Sequence, residues 1–161
     1  MAKYAKVTST IGKILVNSQG DGTTHVNIYS HGRTHVGRTL SNFTRNPFTH
    51  PIHGSFDSME GYWYWLATGL QHDELRLKSG FDAKAYGRNK PRVPYEGFEE
   101  AIIQGIHCML HQNPSVFTLL QQTTLPLTHY YCYTNTLKDN PASLFMLKEF
   151  DLLRLGKPFL Y

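Results

Sequence analysis

The segment DSMEGYWYW, residues 57–65, sets a carboxylate, Glu60, beside four consecutive aromatic residues, Tyr62, Trp63, Tyr64 and Trp65. That composition suits a site that holds a flat heterocycle and stabilises a charged transition state. Burial against rings raises a carboxyl pKa towards proton transfer near neutrality, whereas a neighbouring cation lowers it and keeps the anion; the residue types leave both open. A structural role competes, because a Glu three positions after a capping Asp57 is the ordinary partner of a capping box. On a helix, four successive rings spread around more than half the circumference, so at least one faces a concavity or the surface. Aromatic faces stack on nucleobases, and core packing is the competing use of each ring.

Cations lie on either side of this segment. Lys84 and Arg88 are four residues apart in AKAYGR, a spacing that puts both on one side of a helix, where they could grip a diphosphate or simply meet solvent. Arg33 and Arg38 each follow a glycine, but these glycines match no phosphate-loop or dinucleotide fingerprint. His107 and His111 have the spacing of two metal ligands on one helix face, yet Cys108 follows His107 where a metalloprotease motif has Glu, so no metal site is expected. No nucleophile elbow or cysteine-protease context appears.

The chain of 161 residues is 40% hydrophobic and only 17% charged, enough apolar surface to fold as one domain, residues 1–161, and to exclude intrinsic disorder. Its longest apolar stretch, YWYWLATGL, is about half of the roughly 20 residues of a membrane-spanning helix, and MAKYAKVTST lacks the apolar block of a secretory signal. The expectation is therefore a cytoplasmic protein without membrane contact. Cys108 and Cys132 are too few for a disulfide framework or a paired-cysteine metal clip. Sixteen Lys and Arg against twelve Asp and Glu leave a formal +4. Much of the basic character lies at Arg33, Arg38, Arg45, Lys84, Arg88, Lys90 and Arg92, flanking the aromatic segment and favouring a phosphate-facing cleft over a general basic surface.

The elements that must position these residues read as α+β, predominantly helical with a small β-sheet. IGKILVN (11–17) and THVNIYS (24–30), separated by SQGDG, predict a hairpin. Residues 31–56 lack clear periodicity and read as an ordered loop region. Asp57 and the stripe Met59, Tyr62, Trp63, Leu66 and Leu70 predict a helix over 58–71. Residues 73–86 predict a helical turn, a bend at Ser79-Gly80 and a short helix ending at Gly87. A core-packed helix follows over 97–112, then another from Pro114 to about 121, an aromatic strand over 128–134 and an amphipathic helix over 142–154.

LSNFTRNPF (40–48), FDSMEGYWYW (56–65), AKAYGR (83–88), an I-x-x-G-I helix and NPSVFTLLQQT (113–123), in that order, resemble the NADAR superfamily across roughly residues 29–125. That superfamily includes an N-glycosidase of riboflavin-biosynthesis intermediates and enzymes that remove ADP-ribose from guanine in nucleic acid. The resemblance places the essential acid on Glu60, the loop asparagine on Asn42 with Phe43 beside it, and the Gly-Arg step on Gly87 and Arg88. Trp63 or Trp65 would then stack the base, with Tyr62 also among the substrate-binding residues, and Arg88 with Arg38 or Lys84 would hold the phosphates, Lys84 being the candidate for an imine route. The implied reaction is cleavage of a ribose C1–N bond without metal or other cofactor, on ADP-ribosylated nucleic acid or an ADP-ribose-like nucleotide. Small phosphorylated riboflavin-pathway intermediates are the alternative substrates, and a non-catalytic ADP-ribose or nucleotide reader is the alternative class. Resemblance and size together fit a phage-encoded member that undoes DNA ADP-ribosylation by a host toxin. The chain departs from the family pattern at Gly61, where His is common, at Thr68-Gly69, where Lys is common, and at HYYCYTNTLKDNP (129–141), where the late D-x-x-WG motif is replaced and Asp139 is the remaining acid.

Overall fold

Gly12, at φ +116°, closes a tight turn between strands β1 (Ala5–Ser9) and β2 (Gly12–Val16), which pair antiparallel with Ala5 opposite Val16. The computed structural model describes residues 4–134 and 136–161. The fold is α+β, as composition and periodicity imply, and groups into two compact units: residues 4–41 with 118–157, and residues 42–117 with 158–161.

In the first unit the expected pairing of 11–17 with 24–30 gives way to β1–β2. The second segment contributes only β3 (Val26–Asn27), which runs parallel to β6 (Leu127–Thr128) in a sheet of order β2-β1-β6-β3. Val26, Asn27 and Ile28 are all buried, so this stretch lacks the solvent face of a simple hairpin arm. Asn27 completes the pairing with its side chain: its Oδ1 accepts from the Tyr130 N–H (2.9 Å) and its Nδ2 donates to the Tyr130 carbonyl (3.0 Å). A second antiparallel pair joins β7 (Tyr130–Tyr133) to β8 (Thr136–Asp139). Val7 of β1, Val16 of β2 and Tyr130 of β7 form a buried cluster with Ile14 and Leu137 against them. Helix α1 (His35–Leu40) starts at Thr34, whose hydroxyl accepts from the Gly37 N–H.

The second unit begins where an irregular loop was expected. Residues 45–58 form a hairpin of β4 (Arg45–His50) and β5 (Gly54–Ser58), with Phe48 opposite Phe56. Along β4, Arg45, Pro47 and Thr49 are exposed while Asn46, Phe48 and His50 are buried, so a true period of two is hidden because polar residues fill inward positions. His50 is held by partners both distant and local. The His50 Nε2 donates to Gln104 Oε1 (3.0 Å) while its Nδ1 accepts the N–H groups of Ile52 and His53. The Thr49 N–H donates to Gln112 Oε1 at 2.7 Å.

Helix α2 (Met59–Ala67) stops short of the expected residue 71, with Leu70 beyond its end at φ +57°, while α3 (Gly80–Arg88), α4 (Phe98–Gln112) and α5 (Pro114–Gln121) match the elements expected, and the chain leaves this unit partway along α5. A short 3-10 turn, Asp73–Leu77, precedes α3. In the first unit α6 (Leu144–Arg154) closes the series, burying Met146, Leu147, Phe150 and Leu153 at helical spacing. The second unit regains the chain at 158–161, which lies along α4. There the His111 Nδ1–H donates to the Tyr161 carbonyl (2.6 Å), the Leu160 N–H donates to His107 Nδ1 (3.1 Å), and Phe159 stacks on His111.

Helices α2 and α3 approach closely because Gly87 has no side chain: a β-carbon there would overlap the root and ring of Tyr64, which has nowhere to retreat. Gly87→Ala is therefore expected to destabilise the protein by about 1–3 kcal/mol, seen as a lower thermal midpoint with an unchanged denaturant m-value. An unchanged midpoint would show that this contact is slack.

Candidate active site

Two helix starts and one loop converge in the second unit. Ser58, not Asp57, caps α2: its Oγ accepts the Gly61 N–H (3.1 Å) and donates to the Lys78 carbonyl (2.9 Å), just before α3. The one-residue shift changes the reading of Glu60. The third helical position falls on Gly61, so Glu60 is not the reciprocal partner of a capping box. Its backbone N–H is taken by the Asn42 carbonyl (2.9 Å), and the neighbouring Phe43 carbonyl takes the Gly80 N–H at the start of α3 (2.9 Å). Consecutive carbonyls of the Asn42-Phe43 loop thus satisfy one early N–H of each helix, leaving the Glu60 carboxylate without a capping duty.

That carboxylate is partly buried, and burial pushes its pKa up to about 7 against the opposing pull of the nearby Lys84 ammonium. Lys84 comes from α3 and stands over the Phe43 ring, 5.8 Å from its centroid. Glu60, Phe43 and Lys84 are therefore brought together by the stitching of loop to helix starts. A carboxyl group poised near neutrality beside a cation can take a proton from water or stabilise a developing positive charge.

The four rings of α2 divide as helical geometry requires. Tyr62 is fully buried, its hydroxyl bonded to His53 Nδ1 (2.7 Å), and desolvation raises its pKa. Trp65 is also buried; its Nε1–H donates to Asp73 Oδ1 (3.0 Å) and the Arg76 guanidinium lies 4.6 Å from its ring centre. Tyr64 packs against Gly87 beneath Arg92. Trp63 is partly exposed, meets Phe98 edge-on at 4.8 Å, and lies one helical turn after Glu60 on the same side of α2. Of the residues singled out in the sequence, Asn42, Phe43, Glu60 and Lys84 gather around these helix starts, and Trp63 shares the Glu60 face. Tyr62 and Trp65 face the core, and Gly87 serves helix packing. Arg88 is exposed at the end of α3 with its guanidinium 5.5 Å from the Phe81 ring centre. Arg38 belongs to the first unit, where its Nη1 donates to the Gly32 carbonyl (2.9 Å).

Three other sequence features have structural explanations. Asp139 accepts the N–H and hydroxyl of Thr8, joining β8 to β1 within the first unit. His107 and His111 hold the 158–161 segment, and among the described residues no group of three or more His, Cys, Asp or Glu could hold a metal ion. Gly61 has no room for the His common at that place in the family, because a β-carbon there would press on the carbonyls of Leu75 and Lys78. Spacing alone missed the Ser58–Lys78 link; its one legible sign was Ser58 directly before the apolar run.

No helix among the described residues is long and apolar enough to cross a membrane. The chain is similar to the NMR structure of the E. coli protein YbiA, a NADAR-family protein, with a TM-score of 0.58 and 17% identity over 86% of this chain and 91% of that one. No family model matches the sequence, and a comparison with curated proteins finds no match.

Because Glu60 holds its proton more tightly when folded than at its ordinary value of 4.5, its contribution to stability is full below that pH and is lost as pH rises to about 7. Glu60→Gln should therefore be more stable than the natural protein at about pH 8, by roughly 1–3 kcal/mol after allowance for solvent screening, and nearly equal at about pH 4. Denaturant melts at the two pH values measure this; equal stability at both would mean the carboxylate is well solvated.

Proposed function

We propose that the protein is an N-glycosidase that hydrolyses a ribose C1–N bond, removing ADP-ribose from guanine in nucleic acid. The observation that carries this reading is the partly buried Glu60 carboxyl, raised to near-neutral pKa beside Lys84 and Phe43 at the start of α2. The NADAR-type fold supports a glycosidase-type hydrolase in general terms.

As the C1–N bond lengthens, positive charge spreads over C1 and the ring oxygen. The ionised Glu60 stabilises it and accepts a proton from the water that adds to C1, while the base departs with the bonding pair and takes up a proton. Trp63, partly exposed one turn from Glu60, offers a ring face to the base. Asn42 and Phe43 line the approach, and Lys84 and Arg88 meet the phosphates. In the imine route the neutral amine of Lys84 adds to C1 of the ring-opened ribosyl–base iminium, the base departs with its bonding pair and takes up a proton, and water then hydrolyses the Lys84 imine to return the amine and the free sugar. In a phage, such an enzyme would reverse a host toxin's modification of DNA.

Incubating the protein with an oligonucleotide carrying ADP-ribosylated guanine should release free ADP-ribose, detected by mass spectrometry, and restore the unmodified strand. Glu60→Gln should cut kcat by on the order of 10²–10³ with binding retained. Binding by the natural protein without release would identify a reader instead, and turnover confined to small phosphorylated ribosides would move the substrate to free metabolites.

The ionised form of Glu60 is the working one, so kcat/KM should rise as pH climbs through about 7. Lys84→Met removes the cation that holds this pKa down and should shift the rising limb to higher pH, whatever it does to the plateau. A limb that stays in place would show that another group controls the profile.

A further inference from the structure

Residues 78–92, KSGFDAKAYGRNKPR, contain five cations and a single acid, Asp82, a net +4. The other eleven basic and eleven acidic residues of the chain cancel, so the whole formal excess resides in these fifteen residues. They form α3 and its flanks within the second unit, and each cation stands over an aromatic ring. Lys78 and Lys90 lie 5.2 and 4.6 Å from the Tyr86 ring centre, Lys84 lies over Phe43, Arg88 over Phe81, and Arg92 is 4.9 Å from the centre of Tyr64. A ring orients a cation but leaves its net charge in place, so the segment keeps a net positive charge with its cations held over rings, Lys84 alone among them being set beside Glu60.

Two features narrow the partner. Phe81, in the first turn of α3, is 61% exposed. Phe81, Lys84 and Arg88 fall at i, i+3 and i+7, which places them along one side of α3. That line begins at an open aromatic face and includes the cation beside Glu60. A polyanion alone would need only the cations, and a double helix would bury its bases away from Phe81. Cations in line with an exposed ring are the pattern that a single strand, with phosphates and unstacked bases, engages.

We propose that the 78–92 segment is a binding surface for single-stranded nucleic acid, with phosphates on its cations and a base stacked on Phe81. The surface stands on charge and ring placement alone; only its role in leading a modified base to Glu60 rests on the function proposed above.

The test is fluorescence anisotropy with an unmodified labelled single strand, the same sequence as a duplex, and inorganic polyphosphate, across a salt series, with both DNA and RNA strands. The natural protein should bind the single strand, in DNA, RNA or both, with a log–log salt slope of about −0.7 per phosphate contacted. Phe81→Ala should weaken single-strand binding by about tenfold or more and leave duplex and polyphosphate binding nearly unchanged. Lys90→Ala with Arg92→Ala should weaken all three and flatten the slope. Circular dichroism checks that these surface variants stay folded. Absence of single-strand binding at low salt, or loss of nothing in Phe81→Ala, overturns the proposal; equal affinity for polyphosphate and strand marks a general polyanion surface and overturns it too. Glu60→Gln should bind the unmodified strand like the natural protein. Strand binding without any glycosidase turnover would therefore leave this surface standing while the proposed reaction falls.

Discussion

The proposed reaction depends on a contest at one carboxyl group. Desolvation at the start of α2 favours the neutral acid of Glu60, and Lys84 from α3 favours the anion; desolvation is the larger effect, and the group settles near neutrality. A surface glutamate would stay ionised and passive, and a wholly buried one would stay protonated. The intermediate position requires that both helix starts hold still, because a modest displacement of either changes the local dielectric or the distance to the cation. Their positions are held by hydrogen bonds to backbone groups. The Asn42 and Phe43 carbonyls take one N–H from each helix, and Ser58 bonds to both its own helix and the Lys78 carbonyl.

The same economy of space explains the glycines. Gly61 lies against the carbonyls of Leu75 and Lys78, Gly87 against Tyr64, and Gly105 on α4 against Tyr62. In each case a missing side chain lets an element reach an aromatic ring or a backbone turn of its neighbour. Tyr62 and Trp65 are therefore best understood as the wall behind the site, with His53 and Asp73 satisfying their polar atoms. Trp63 is the ring left partly open on the Glu60 side. One run of four aromatics thus supplies core, helix contact and candidate ligand surface, a division that follows from a 100° step per residue.

Much of this was legible before any coordinates. Helices α2 to α6 follow from apolar spacing, the bend at Ser79-Gly80 separates the 3-10 turn from α3, and Glu60 stands out by its aromatic neighbours. What escaped had a common physical cause: polar side chains in buried positions. Asn46 and His50 break the apparent alternation of β4, and Asn27 replaces a strand neighbour with its own amide, using partners more than 50 residues away. The β1–β2 hairpin was misplaced because the decisive signal was one glycine's backbone angle. The cap was misplaced by one residue because Asp57 and Ser58 are both good caps, and only the tertiary link to Lys78 distinguishes them. The i, i+4 histidines of α4 show the converse, a metal-like spacing used to grip a returning segment.

That returning segment has a consequence for how the molecule is made. Residues 158–161 complete a unit whose other residues end at Phe117, so a ribosome synthesises some forty intervening residues before the last piece of that unit is available. During elongation the side of α4 that carries His107 and His111 stays uncovered, and Phe117 lacks its aromatic neighbour Phe159. The 158–161 segment acts as a latch that shuts only after those intervening residues have been made, and until then the nascent chain offers that side of α4 to sticking partners.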